Sequence, residues 1–173
     1  KYSLIYIMKI YIITHKYSTT LKKCLARYKE LGYNPIIYNG LNITEDKIEK
    51  SHVCYLNYLK LLENDDCADD DIIISEDDVY LNEKIEIKNR DELNWLGWWR
   101  YNNNELLGSM VIYIPQKLIP HVRRQFKAKD PCHLDYFLRS YLDFIVRPET
   151  ICKEISHKSL IVDKVRKHRH ILR

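Results

Sequence analysis

The chain has 173 residues, of which 46% are hydrophobic and 30% are charged, and its formal net charge is +4. This length favours one domain with a sizeable core, and the composition is that of a globular protein rather than a disordered one. Glycine occurs only 4 times, and neither G-x-G-x-x-G nor G-x-x-x-x-G-K-[ST] is present, which argues against a Rossmann dinucleotide site or a P-loop. No apolar run reaches the length of a membrane span, and cytoplasmic residence is the default expectation.

The first half of the chain predicts strand, helix, strand and helix in that order. An apolar, β-rich run at 9–15 predicts the first strand, and a signal peptide is the less favoured interpretation of this N-terminal stretch. The hydroxyl side chains of 18–20 then offer caps for a helix that ends at Gly32. A second strand at 33–40 closes on an Asn-Gly turn, and a further helix covers about 46–63. The predicted buried stripe of this helix comprises Val53, Leu56, Leu59 and Leu62.

The second half begins with a fully apolar strand at 71–75, the kind that is buried on both faces of a parallel sheet. Three acids follow it, and then an irregular region that contains Trp95, Trp98 and Trp99. At least one of these tryptophans is expected in the core, and another is a candidate for lining a cleft. A strand at 106–115, helices at about 116–128 and 132–142, and a strand at 144–149 complete the predicted order.

Strands separated by helices predict an α/β fold, with a mostly parallel central sheet and helices on both faces. No linker, repeat or low-complexity segment divides the chain, so residues 1–173 are expected to form a single compact domain. Its core covers about 9–160, and the tail at 163–173 is basic. A solvated terminal helix is the favoured interpretation of the tail, and a phosphate-facing or membrane-surface patch is the alternative.

The five cysteines are scattered along the chain, without a C-x-x-C motif or an even pairing. This distribution is typical of a reducing compartment and predicts small, mostly buried thiols rather than a disulfide framework.

Three consecutive carboxylates, Glu76, Asp77 and Asp78, follow the most apolar strand. Ligands of α/β sheets bind beyond the carboxyl ends of the strands, which is where these acids fall. If the strand continues through them, Glu76 and Asp78 share one side and Asp77 faces the other. Two carboxylates at this position could hold Mg²⁺ or Mn²⁺, which neutralises a diphosphate leaving group. The alternative interpretation is a turn with exposed acids, and the residue pattern alone does not choose between the two.

Several segments resemble glycosyltransferase family 25, the lipopolysaccharide and collagen sugar transferases. In that family a helix with a GCxLSH signature leads into a strand that ends in EDDV. Here "VCYLNYLKLL" places Cys54 at the family's cysteine, and residues 76–79 reproduce EDDV, the one specific short string. The other similar segments are YNG at 38–40, GSMVIYIP at 108–115, HLDYFL at 133–138 and RPE at 147–149. The resemblance spans roughly residues 9–160 and implies a GT-A fold, which is Rossmann-like.

The resemblance implies a metal-dependent glycosyltransferase that moves a sugar from a nucleotide donor to a hydroxyl of a glycan, lipid-linked or protein acceptor. A UDP-sugar is the first choice of donor. Mn²⁺ or Mg²⁺ is expected on Asp78, with Glu76 contacting the metal through water or the donor ribose, and Asp77 as a less certain member. His157 is the candidate further ligand, and an exposed loop histidine is the slightly favoured alternative for this residue.

The same resemblance assigns Asp135 as a general base, or as a residue that orients the acceptor hydroxyl. A helix N-terminal aspartate that interacts with the helix dipole is the alternative for this residue. Four residues lie at the ends of the first two strands and could hold the nucleoside. They could equally be ordinary turn residues at strand ends: Thr14, His15, Tyr38 and Asn39. Basic residues that could neutralise donor phosphate or attract an anionic acceptor are Lys158, Lys164, Arg166 and Lys167.

Departures from the family motif favour a second class of function. Asn57 and Tyr58 stand where the family has Ser-His, and Val53 replaces its glycine. A catalytically degenerate, GT-A-like module that binds a nucleotide or a partner protein is therefore the alternative. A metal-dependent phosphodiesterase or nuclease is less favoured, and nucleic acid is not an expected partner, because aromatic and basic residues are not interleaved.

Overall fold

A computed structural model describes residues 8–41, 49, 51–100 and 106–155 of the protein. The strands are β1 (Met8–Thr14), β2 (Ile36–Asn39), β3 (Asp71–Glu76), β4 (Val79–Leu81), β5 (Leu93–Arg100), β6 (Leu106–Ile114), β7 (Phe144–Val146) and β8 (Cys152–Glu154). The helices are α1 (Leu21–Glu30), α2 (Val53–Glu63), α3 (Ile119–Lys127) and α4 (Leu134–Tyr141), with short 3-10 helices at Asp65–Cys67 and Gln116–Leu118.

Six strands form a central sheet in the order β2-β1-β3-β6-β5-β7. β1 pairs in parallel with both β2 and β3, and β7 pairs in parallel with β5. β6 is antiparallel to its two neighbours, so it alone among the six runs in the opposite direction. The predicted α/β fold with a mostly parallel sheet is therefore confirmed. Outside this sheet, β4 and β8 form a two-stranded antiparallel ribbon.

Both faces of the sheet are covered, and β3 contributes to the core on each side. Ile72 and Ile74 belong to a cluster with buried residues of α2, α3 and α4, whereas Ile73 belongs to a second cluster with α1, β4 and β8. All three side chains are 0% exposed. The predicted burial of this strand on both faces is confirmed, and helices flank the sheet because each face has its own apolar surface to cover.

The region around the tryptophans is a strand, so the prediction of an irregular region there was wrong. β5 pairs with β6, but the register shifts between Trp95 and Gly97 and again between Gly97 and Trp99. These irregularities interrupt the alternation that would have indicated a strand. Trp95 and Trp98 are buried, and their indole N–H groups donate to the carbonyls of Gly108 and Arg147. The expectation of a tryptophan in the core is confirmed, and the side chain of Trp99 lies outside the described residues.

Helix α2 begins at Val53 and is preceded by a turn at 51–52. The sequence predicted that this helix starts at about 46, and residues 42–48 lie outside the described part. Leu56 and Leu59 of the predicted stripe are only half-buried. The buried positions of this helix are Val53, Tyr55, Asn57, Tyr58, Leu61 and Leu62. Contact with α3 as well as with the sheet widens the buried surface beyond a single stripe.

Among the described residues no helix has the length and apolar character needed to cross a membrane. All five cysteines are free, with Cys24, Cys67 and Cys152 buried and Cys54 and Cys132 half-buried. The prediction of mostly buried thiols without a disulfide framework is therefore confirmed.

Replacing Gly97 with alanine should destabilise the protein through overpacking. A Cβ at this position would lie 2.6 Å from Cys152 Sγ and 2.9 Å from two side-chain atoms of Val111. We expect Gly97→Ala to lower the free energy of unfolding by about 1–3 kcal/mol in chemical denaturation. The loss should be smaller in a Cys152→Ala background, because that substitution removes the nearest atom. An equal loss in both backgrounds would contradict this explanation.

Candidate functional site

Three acids, Glu76–Asp78, form an acidic turn where β3 ends and β4 begins. In the parallel pairing of β1 with β3, Ile13 lies opposite Glu76, and in the pairing of β1 with β2, Thr14 lies opposite Asn39. The ends of three neighbouring strands therefore meet at one edge of the sheet, which we call the carboxyl edge. Ligands of α/β folds bind at this edge.

The side chain of Asp77 is fixed to the end of β1. The hydroxyl of Thr14 donates to Asp77 Oδ2 at 2.6 Å, and Thr14 is only 4% exposed. Because β3 ends at Glu76, the strict alternation expected for Glu76, Asp77 and Asp78 does not continue through the turn. Asp77 therefore lies at the carboxyl edge beside β1, half-buried and held by a charge-assisted hydrogen bond.

Asp78, the metal ligand expected from the family resemblance, is 5% exposed. Its backbone carbonyl accepts a hydrogen bond from Ile155 N at 2.5 Å, which joins the turn to the end of β8. Burial raises the pKa of the Cys152 thiol to about 12, and the charges of Asp78 and Glu76 contribute to the increase. Asp78 therefore lies close to the buried thiol of β8.

Glu76 occupies the last position of β3 and is half-buried. Alternation along the strand places its side chain on the same face as Ile72 and Ile74, which is the face covered by α2, α3 and α4. Its backbone carbonyl accepts a hydrogen bond from the Cys24 thiol at 3.8 Å. The carboxylates of Glu76 and Asp77 are thus the two members of the acidic turn that are partly open to solvent.

Asn57 of α2 holds the chain where it leaves β2, a role that was not predicted. Its Oδ1 accepts a hydrogen bond from Leu41 N at 2.6 Å, and Gly40 N donates to Thr14 O at 2.7 Å. A Cβ on Gly40 would lie 2.8 Å from the Asn57 amide, so a side chain at position 40 would displace that amide. The Asn-Gly turn was the one sequence signal for this contact. Tyr58, the neighbouring departure from the family motif, is 1% exposed and belongs to the core.

The residues predicted to hold the nucleoside differ in where they lie. His15 follows β1 and is half-buried; its Nδ1 accepts a hydrogen bond from Tyr17 N at 3.2 Å, so a neutral ring carries its proton on Nε2. Asn39 is exposed at the end of β2. Tyr38 packs against the core, where burial raises the pKa of its hydroxyl, with the charge of Glu63 at the far end of α2 also contributing. Thr14, His15 and Asn39 are therefore at the carboxyl edge, whereas the Tyr38 side chain packs against the core.

Asp135 lies in the first turn of α4 and is half-buried. Helix α4 leads into β7, which runs parallel to β5, so the helix begins on the side of the sheet where β1 and β3 end. Asp135 therefore lies toward the carboxyl edge, and its helix contacts β6, the strand next to β3. His157 and the basic residues predicted to contact phosphate lie outside the described residues.

The acidic turn has oxygen donors suited to a divalent cation but does not form a complete metal site. Within the ranges that the structure describes, no group of three His, Cys, Asp or Glu side chains is arranged to hold a metal ion. Mg²⁺ in nucleotide enzymes is often held by one or two carboxylates together with substrate phosphates. Such an arrangement needs fewer protein ligands than a site built from protein alone, and Glu76 and Asp77 are the acids of the turn that are partly open to solvent.

The fold is similar to that of a solved glycosyltransferase. One similar structure is the crystal structure of a glycosyltransferase involved in the glycosylation of the major capsid of PBCV-1; the TM-score is 0.56 at 11% identity, covering 80% of this chain and 82% of that chain. The two proteins share a fold. No protein-family model and no curated protein sequence matches the chain, so membership of family 25 stays a prediction.

Removing the Thr14 hydroxyl should release Asp77. We expect Thr14→Val to lower the free energy of unfolding by about 1–2 kcal/mol, because it leaves the carboxylate without its donor while keeping the side-chain volume. Thr14→Ser, which keeps the hydroxyl, is the matched control and should lose less. In an Asp77→Ala background the difference between the Val and Ser variants should shrink. Its persistence there would show that the hydrogen bond does not account for the loss.

The five thiols should differ in reactivity toward a disulfide reagent such as DTNB at pH 7. Burial raises the pKa of Cys24 and of Cys152 to about 12, with nearby carboxylates contributing, so both remain neutral thiols. We expect half-buried Cys54 and Cys132 to react in the folded protein, Cys132 the more slowly because burial raises the pKa of its thiol. The other three should react only after unfolding. Rapid labelling of Cys24 or Cys152 in the native state would contradict the structure at the acidic turn.

Proposed function

We propose that the protein is a glycosyltransferase that moves a sugar from a nucleotide-sugar donor to a hydroxyl acceptor. The observation that supports this most strongly is the acidic turn at the carboxyl edge, with Asp77 held by Thr14, in a fold shared with a glycosyltransferase. Binding at the carboxyl edge is general for α/β sheets, and paired carboxylates suit a metal–diphosphate ligand.

In this proposal Glu76 and Asp77 would hold Mn²⁺ or Mg²⁺ together with the donor diphosphate. The ion would supply positive charge that offsets the charge of the departing diphosphate. Because Asp78 is 5% exposed, its role here is to support the turn rather than to face the ligand. His157 remains the candidate for a further ligand.

Thr14 orients the Asp77 carboxylate, since its hydroxyl donates to Oδ2 and thereby restricts the side chain. The loop after β2 borders the nucleoside in this proposal, with His15 and Asn39 as the polar side chains nearest to it. Asn57 is a positioning residue for that loop, because it holds Leu41 N. A UDP-sugar is the proposed donor, and a glycan, lipid-linked or protein hydroxyl is the proposed acceptor.

Asp135 is the proposed general base. It would accept the proton of the acceptor hydroxyl as the oxygen bonds to the anomeric carbon and the diphosphate leaves. The support for this role is that α4 begins on the side of the sheet where the acidic turn lies.

A catalytically inactive nucleotide-binding module is the second candidate. It is favoured by the structural roles of two residues that depart from the family motif, since Asn57 holds a loop and Tyr58 fills the core. Nucleotide binding without transfer would be the expected behaviour of such a module.

The carboxylate assignment can be tested by thermal shift with UDP, GDP and CMP, each with and without Mn²⁺. We expect a Mn²⁺-dependent rise in Tm with one nucleotide, and Asp77→Asn should weaken its apparent affinity by about tenfold or more. Asp78→Asn should lower the Tm of the unliganded protein and weaken binding less. Asp69→Asn, an exposed acid before β3, is the matched control and should bind like the natural protein.

Transfer is measured separately, by release of the free nucleotide from a panel of nucleotide sugars. Turnover that is lost in Asp77→Asn and Asp135→Asn supports the transferase. Metal-dependent nucleotide binding without turnover would favour the inactive module. Wild-type nucleotide binding in both Glu76→Gln and Asp77→Asn would overturn the assignment of the acidic turn.

A further inference from the structure

Three cationic side chains surround one tyrosine ring on the surface next to the acidic turn. Distances to the Tyr80 ring centroid are 5.8 Å for Lys23 Nζ, 5.0 Å for Arg27 Cζ and 5.0 Å for Lys153 Nζ. We call these four residues the Tyr80 patch.

The fold brings the patch together from three elements. Lys23 and Arg27 are four residues apart on α1 and therefore lie on one face of that helix. Lys153 lies directly opposite Tyr80 in the pairing of β4 with β8. The positive charges are thus held near one another by secondary structure that is packed onto the core at Val79 and Cys152.

Among the residues that the structure describes, the charges of the patch are only partly balanced. Arg27 pairs with Glu30 Oε2 at 3.1 Å and donates to the carbonyls of Leu81 and Asn82. Lys23 and Lys153 are exposed, and neither forms an ion pair with an acid in the described part of the chain. The electron-rich ring offsets some of the repulsion between the cations. An oxyanion bound between the two lysines would offset the rest.

The patch lies within reach of the acidic turn. Tyr80 follows Asp77 by three residues, so their Cα atoms are at most about 10 Å apart. A ligand that places an anionic group on the patch could therefore place a neighbouring group beside Asp77. The two sites have opposite charge and would hold different parts of the reacting pair.

We propose that the Tyr80 patch binds an oxyanion, a phosphate or carboxylate group, carried by the acceptor. The statement that the acceptor carries the oxyanion rests on the proposed glycosyl transfer. The statement that the patch binds an oxyanion does not rest on it. A lysine ammonium group is a compact point charge that attracts a phosphate and a carboxylate in the same way, so the patch could bind either group.

The test is calorimetric titration of the full chain at low salt, with EDTA present so that no metal–diphosphate site can form. Inorganic pyrophosphate is the phosphate probe, and trigalacturonic acid is the carboxylate probe. We expect the Lys23→Gln, Lys153→Gln double variant to bind about three- to tenfold more weakly than the natural protein. Lys22→Gln removes an exposed charge from the adjacent position of α1 and is the matched control, with unchanged binding expected.

Binding of either probe that depends on Lys23 and Lys153 supports the proposal, and the preferred probe identifies the anionic group. The Lys23→Arg, Lys153→Arg variant should retain binding, which separates loss of charge from loss of fold. Equal weakening in Lys22→Gln, or no binding by the natural protein, would overturn the proposal.

Asp77→Asn separates this site from the proposed function. It should keep oxyanion binding in EDTA while losing Mn²⁺-dependent nucleotide binding. The lysine double variant should show the reverse, with nucleotide binding retained. If the lysine result holds but the Asp77 variant binds nucleotide normally, the patch stands and the glycosyltransferase proposal fails.

Discussion

The burial of β3 on both faces determines where ionised side chains can lie along this strand. Ile72, Ile73 and Ile74 are 0% exposed, and each face of the strand is covered by a separate cluster. An ionised carboxylate within such a strand would lose its hydration without compensation, so partly solvated acids can occur only where the strand ends. The parallel pairing with β1 brings Thr14 to the same end, where its hydroxyl meets the first carboxylate beyond the strand.

The change of direction after Glu76 gives the three acids different environments. One carboxylate turns to β1, and the next lies close to the buried thiol of Cys152. The hydrogen bond from Ile155 N to the carbonyl of Asp78 anchors the turn to β8. The same ribbon of β4 and β8 sets Lys153 opposite Tyr80. The acidic turn and the Tyr80 patch therefore share one support, since both are fixed by the first residues of β4.

Much of the fold follows from local sequence signals. The apolar runs of β1, β3 and β6 and the periodicity of α1, α3 and α4 are contained within each segment, so they can be recognised without knowing the rest. The ribbon of β4 and β8 could not be predicted, because each strand has three residues and is stabilised by a partner distant in sequence. The contact of Asn57 with Leu41 depends on tertiary structure in the same way. Alternation also could not show that the strand stops at Glu76, and this end point decides which acid faces β1.

The acidic turn and the neighbouring Tyr80 patch carry opposite charges and therefore place different requirements on the two proposed ligands. The acidic turn repels a diphosphate until a cation intervenes, whereas the Tyr80 patch attracts an anionic group directly. The Cα atoms of Asp77 and Tyr80 are at most about 10 Å apart, whereas the Debye length is about 30 Å at 0.01 M salt. At low ionic strength the two fields therefore overlap, and the carboxylates reduce the pull of the lysines on an approaching anion. A divalent ion on the acidic turn would reduce that opposition, whereas the diphosphate of a bound donor would bring negative charge back to the same place. Charge alone therefore predicts that the metal ion, rather than the loaded donor, strengthens binding of an anion to the Tyr80 patch.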